Sequence, residues 1–205
     1  MNAFWTGALA GYGIAIPVGA IAILILETGL REGFAKGFFA GAGAASADLL
    51  YATVAVAAGS AAAVAVTAFA LPLKIASGLV LLALGGYGLW KVFKPSPAGN
   101  NPASPRNHGS TYFQFLGLTL LNPMTVVYFA ALILGGSAGS RAGAAAALLF
   151  VLGAGLASLS WQTLLAASAS LLKKRLPAGM RRVFSLAGNL IVAAFGLEIL
   201  IRIAV

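Results

Sequence analysis

Four carboxylates and one histidine are the acid–base groups of this 205-residue chain, which has no cysteine. One of the four, Asp48, closes the run Gly41-Ala-Gly-Ala-Ala-Ser-Ala-Asp48 inside a long apolar stretch. At a helical rise of about 1.5 Å per residue it lies roughly 20 Å from the start of that stretch. An ionised acid at such depth in hydrocarbon costs several kcal/mol, so Asp48 is expected to face protein and to be either protonated or paired with a cation. A proton-coupling group, or an anchor for a substrate ammonium, has to behave in this way. The structural alternative is a carboxylate satisfied by backbone groups or by Tyr51. A similar run, Gly153-Ala-Gly-Leu-Ala-Ser-Leu-Ser160, brings Ser158, Ser160 and Gln162, uncharged hydrogen-bonding groups able to complete a polar pocket.

Two prolines add backbone chemistry. Proline within a helix removes one N–H and clashes with an earlier carbonyl, and the polar groups it frees must find partners or line a wet cavity in lipid. Pro17 stands among Gly11, Gly13 and Gly19, and Asn122-Pro123 interrupts a second apolar run. Both breaks fall near mid-bilayer when counted along their helices, where broken helices flank a substrate site in transporters. Either proline alone could be a packing kink.

The remaining titratable groups look ordinary. Glu27 and Arg31, Glu32 and Lys36, and Glu198 and Arg202 each stand four residues apart with the acid first, the spacing of helical ion pairs. His108 falls in a polar stretch and is a poor ligand or catalyst alone. Gly33, Gly37 and Gly41 form a small-residue stripe for close helix contact, within one subunit or between two in a homodimer.

The elements that position these residues follow from composition. The chain is 60% hydrophobic and 8% charged with a mean hydropathy of +0.97, too apolar for a soluble fold. Six apolar stretches, near residues 4–26, 33–58, 73–93, 113–134, 143–172 and 183–203, are each long enough to span a bilayer. The apolar segment 59–72 either extends the second helix or lies at the interface. No cleavable leader is expected before the first stretch.

Six spans put Arg31, Lys36, Lys91, Lys94, Arg106, Lys173, Lys174, Arg175, Arg181 and Arg182 on one side, and only Lys74, Arg141 and Arg202 on the other. Ten against three places the first set in the cytoplasm and both termini outside. The net charge of +9 is thereby explained by lipid and topology, not by nucleic acid. Absence of cysteine excludes disulfides, iron–sulfur clusters and thiolate metal sites, and nothing calls for a cofactor.

The two halves match. The Gly41 and Gly153 runs share five residue types in eight positions, Ile16-Pro17 corresponds to Asn122-Pro123, and Gly78 and Gly86 correspond to Gly188 and Gly196. Three spans per unit is odd, so the second unit enters the membrane from the opposite face. The expected fold is an all-α polytopic membrane protein of six helices in two inverted repeats, residues 1–93 and 111–205, joined by a cytoplasmic linker, 94–110, with helices 1 and 4 interrupted at prolines.

The segments Ile16-Pro17-Val18-Gly19-Ala20 and Thr28-Gly29-Leu30-Arg31-Glu32-Gly33, then Gly41-Ala42-Gly43 with Asp48 and Tyr51, then Leu121-Asn122-Pro123, resemble in order and spacing the LysE/RhtB family of bacterial amino-acid exporters. The resemblance implies proton-driven efflux of amino acids or similar solutes across the inner membrane, with Asp48, Pro17, Gly19, Asn122, Pro123 and Tyr51 at the site. Two departures are plain. Family members often follow Gly-Pro with an amide where this chain has Gly19-Ala20-Ile21-Ala22, and Met124 stands where a lysine is frequent. Export of metal cations, and a membrane-embedded transferase, are the competing classes. A single buried carboxylate offers neither a cation cage nor a nucleophile–base pair.

Overall fold

The apolar stretches fold as eight helices in a computed structural model that describes residues 2–17, 19–68, 70–93, 107–134 and 143–204. They are α1 (Ala3–Ala15), α2 (Ala20–Glu32), α3 (Phe34–Ala68), α4 (Ala70–Phe93), α5 (His108–Leu120), α6 (Pro123–Leu134), α7 (Gly143–Arg175) and α8 (Ala178–Ala204). Four of them contain segments long and apolar enough to cross a membrane: Phe34–Ala57, Leu71–Phe93, Gly143–Lys173 and Arg182–Ile203. The other four form two bent pairs, α1 with α2 at 79° and α5 with α6 at 60°, which bring the number to six if each pair is one span. This is a multi-pass, all-helical membrane protein.

The bends sit where the sequence put them. Pro17 and Gly19 lie between α1 and α2, and Asn122 lies between α5 and α6. At the second break Asn122 Oδ1 accepts from the Met124 backbone N–H at 3.2 Å, so Asn122 caps α6 while Pro123 takes the first helical position, where no N–H is needed. The turn from α2 into α3 passes through Gly33 at φ 99°, open to glycine at no steric cost. The segment after Gly59 continues α3 to Ala68 and is not a separate interfacial piece. Of the expected linker, residues 94–106 lie outside the described residues, as does Arg141; His108–Ser110 already form the first turn of α5.

Small residues make up much of the buried core, beside Ile25, Phe129 and Phe150, and many large apolar side chains point outward. Ala40, Ala44, Ala47, Ala52, Ala154 and Ala166 are wholly buried, whereas Leu9, Leu50, Leu79, Leu156, Leu164 and Val183 face outward. Lipid tails are as apolar as leucine, so leucine gains little by turning inward, while small residues let backbones approach closely. A methyl added at Gly11 would strike the Ala154 backbone, and one at Gly43 the Tyr112 backbone.

The broadest helix contacts join α4 to α8, α1 to α7, and α3 to both α7 and α5. Gly7 on Phe150 and Gly11 on Ala154 make α1 and α7 parallel, and Ser46 with Tyr112 and Tyr51 with Leu120 make α3 and α5 parallel. Gly37 on Ala166, Gly41 on Gln162 and Asp48 on Ser158 make α3 and α7 antiparallel, as are α4 and α8. At one end, Lys173 donates to the Arg31 carbonyl at 2.8 Å and Arg182 to the Val92 carbonyl at 3.1 Å. These contacts gather Arg31, Lys173, Arg182 and the neighbouring Lys91 toward a shared face.

Candidate functional site

Asp48 is buried between α3 and α7, where Ser158 Oγ donates to its Oδ2 at 2.6 Å. No cation pairs with it among the described residues. Ser160 does not reach it. Two residues along an α-helix are about 200° apart, so only one of Ser158 and Ser160 can face α3. Ser160 is exposed instead, 2.9 Å from the Tyr12 hydroxyl of α1 and donating to the Ala157 carbonyl. Gln162 is buried against Gly41, with its Oε1 unpartnered among the described residues.

Tyr51 serves the helix break and not Asp48. Its hydroxyl donates at 2.6 Å to the carbonyl of Leu120, the last residue of α5, one of the carbonyls that a helix end leaves without an intrahelical partner. Its ring stacks on Phe129 of α6 with centroids 5.6 Å apart, so one side chain holds both arms of the bend. Tyr128 of α6 donates to the Ala10 carbonyl of α1 at 2.9 Å, tying the second broken pair to the first.

The two breaks meet. A cavity of about 10 Å³, room for one water, is lined by Ala20 and Ile21 at the start of α2, by Leu121 and Asn122 at the α5–α6 break, and by Ser77, Val80, Leu81 and Leu118. Pro17 itself is exposed beside the break, Gly19 is partly exposed, and Pro123 is buried. Asn122 has spent its Oδ1 on the cap, and its Nδ2 has no partner among the described residues. Asp48 lines neither this cavity nor the next.

One turn further along α2, α4 and α5 lies a cavity of about 520 Å³. Leu24, Leu84 and Phe115 form its apolar floor, next to Ile21, Val80 and Leu118 of the smaller cavity. Its walls carry Glu27, Arg31, Glu32, Lys36 and Lys91, with Tyr87, Gln114 and Asn189. A recess of about 540 Å³ toward the far end of α3, against α7, is by contrast lined by Thr53 and small or apolar residues.

The three expected ion pairs form: Glu27–Arg31 at 3.1 Å, Glu32–Lys36 at 3.6 Å and Glu198–Arg202 at 2.9 Å. Glu27 does more than pair locally. Its Oε1 also accepts from Ser185 Oγ at 2.8 Å and Asn189 Nδ2 at 2.6 Å, both on α8. Asn189 reaches it through space left by Gly88, where a methyl would collide with the amide. Ser185 and Asn189 were not singled out from the sequence, although Asn189 is an amide inside an apolar run and the reasoning that found Asp48 applies to it.

A family model described as LysE type translocator matches residues 13–202, nearly the whole chain. The chain belongs to that family. No curated protein and no solved structure matches it. As a LysE type translocator it is a membrane exporter of small solutes, and the family's members are transporters and not enzymes. The matched region takes in both helix breaks, Asp48 and both cavities.

Proposed function

We propose that this translocator is a secondary transporter that exports amino acids or related small solutes from the cytoplasm across a bacterial inner membrane, exchanging them for protons by alternating access. The observation that carries the reading is the meeting of both helix breaks on one small cavity beneath a large charged vestibule. Half-helices α2 and α6 begin at the breaks with their positive dipole ends, and α1 and α5 end there with their negative ends. Ends of both signs suit a zwitterion, and broken helices at mid-membrane are where transporters hold substrate. Pro17, Gly19, Asn122 and Pro123 stand at the two breaks and Tyr51 braces the second, whereas Asp48 and Gln162 stand on the neighbouring α3–α7 seam; Ser160, on the outer face, would act only through Tyr12.

Alternating access needs two units that can rock, and the packing supports an inverted repeat of residues 1–93 and 111–205 about the segment 94–110. Gly43 packs on Tyr112 and Leu116 as Gly153 packs on Phe4 and Ala8, and Asp48 stands opposite Ser158. Both middle-helix relations give an offset of 110 (43 to 153, 48 to 158), the offset that also relates Gly78 to Gly188. The register is two residues from that of the aligned glycine motifs. Parallel first and fifth spans, with antiparallel second and fifth, are what six alternating spans require. The shared basic face, read as cytoplasmic, puts both termini outside and the vestibule open to the cell interior.

In the cycle, substrate and proton compete for Asp48 when the α3–α7 seam parts, since in the closed packing it lines neither cavity. The carboxylate crosses neutralised by either and is costly to move bare. Proteoliposome transport assays over an amino-acid panel, with and without a pH gradient, test the function. Accumulation of at least one amino acid against its gradient, only with the pH step, is the expected result; no gradient-dependent movement of any member overturns it.

A further inference from the structure

Glu27 is the most heavily bonded carboxylate among the described residues, yet one of its oxygens is idle. Oε1 takes Arg31, Ser185 and Asn189, while Oε2 has no partner among the described residues, and the side chain lines the large cavity. Three donors on one oxygen fix the orientation of the carboxylate and leave the other free for a donor from outside. Lys91 of α4 lines the same cavity and has no ion-pair partner among the described residues. It lies three residues beyond Gly88 on α4, and Gly88 is level with Asn189 and hence with Glu27. Lys91 therefore stands about one helical turn, roughly 5 Å, nearer the mouth. Below both charges the floor is Leu24, Leu84 and Phe115.

We infer that this vestibule is a selection site for zwitterionic amino acids with apolar side chains. The ligand's ammonium donates to Glu27 Oε2, its carboxylate meets Lys91, and its side chain lies on the leucine and phenylalanine floor. One acid with a free oxygen and one base without an ion-pair partner among the described residues, lining one cavity, answer the two charges of an α-amino acid. An amine or a carboxylate alone would satisfy one group and leave the other unmet. The apolar floor favours an apolar side chain, whose burial against Leu24, Leu84 and Phe115 removes it from water. The inference rests on the reading of the vestibule as the substrate entrance.

The test is equilibrium binding to the purified full chain in nanodiscs, using L-leucine, 3-methylbutylamine and 4-methylpentanoate, which share a side chain and differ in the charged groups. Wild type should bind leucine more tightly than either analogue. Glu27→Gln should weaken leucine and the amine by about tenfold to a hundredfold, the range of a charge-assisted contact, and leave the carboxylate unchanged. Lys91→Gln should do the reverse, weakening leucine and the carboxylate but not the amine. Lys91 is exposed and keeps the fold independent of the variant, so its arm decides the question even if Glu27→Gln fails to fold. No binding of leucine by wild type, or equal losses for all three probes, overturns the site. Amino-acid transport by the same purified chain in proteoliposomes separates that failure from a failure of the export reading.

Discussion

Replacing Asp48 by asparagine removes the one fully buried carboxylate while keeping its size and its ability to accept from Ser158 Oγ, now 2.6 Å from Oδ2. The other three acids each sit in a local ion pair, Glu32 and Glu198 exposed and Glu27 with its side chain 10% exposed. With Asp48 as the coupling carboxylate of the proposed exchange, one proton moves per cycle. A pH step of one unit then carries about 1.4 kcal/mol per solute, which sets a limiting accumulation of about tenfold when the membrane potential is clamped at zero. In proteoliposomes made acidic inside, outward proton flow should draw a transported amino acid inward to that ratio. Asp48→Asn should bring the ratio to one, with thermal stability in detergent within about 1 kcal/mol of wild type because the Ser158 bond survives. A variant that still accumulates tenfold, or a wild type whose ratio rises about a hundredfold per pH unit, refutes the assignment of a single coupling carboxylate.

Ser158→Ala strips Asp48 of its donor and should cost about 1–3 kcal/mol of stability, whereas Ser160→Ala, on the outer face, should cost under about 1 kcal/mol; detergent unfolding curves compare them directly. Gly43→Leu drives a side chain into the Tyr112 backbone and should abolish the monodisperse peak in size-exclusion chromatography, since backbone cannot yield as a side-chain tip can. A cysteine at Asn100, in this naturally cysteine-free chain, should react with an impermeant maleimide only in inverted vesicles; labelling in intact cells would reverse the orientation drawn from the charge split.

What could be read from the sequence was local. A helix interior does not accommodate proline, so both bends were visible, and acid–base pairs four residues apart closed as expected. The family, too, was carried by contiguous motifs. The phase of one helix against another was not legible. Ser158 and Ser160 differ by two residues and by opposite faces, and nothing in a single sequence says which one meets Asp48. Glu27 shows the same limit at longer range. Its pairing with Arg31 could be counted off, but Ser185 and Asn189 lie 158 and 162 residues away and arrive only when α2 packs on α8. The end of α3 escaped because the segment after Gly59 carries neither charge nor proline before Pro72 to mark a boundary.

The broken first helix of each half lies on the middle helix of the other: α1 on α7, and α5 on α3. During synthesis, the earliest spans therefore enter the membrane with their glycine faces pointed at partners that have not yet been translated. Such seams hold by close backbone contact and gain nothing from lipid, so they must stay open until α7 emerges more than a hundred residues later. An amino-terminal half released alone would carry uncovered small-residue grooves and a buried acid without its serine, a ready target for membrane quality control.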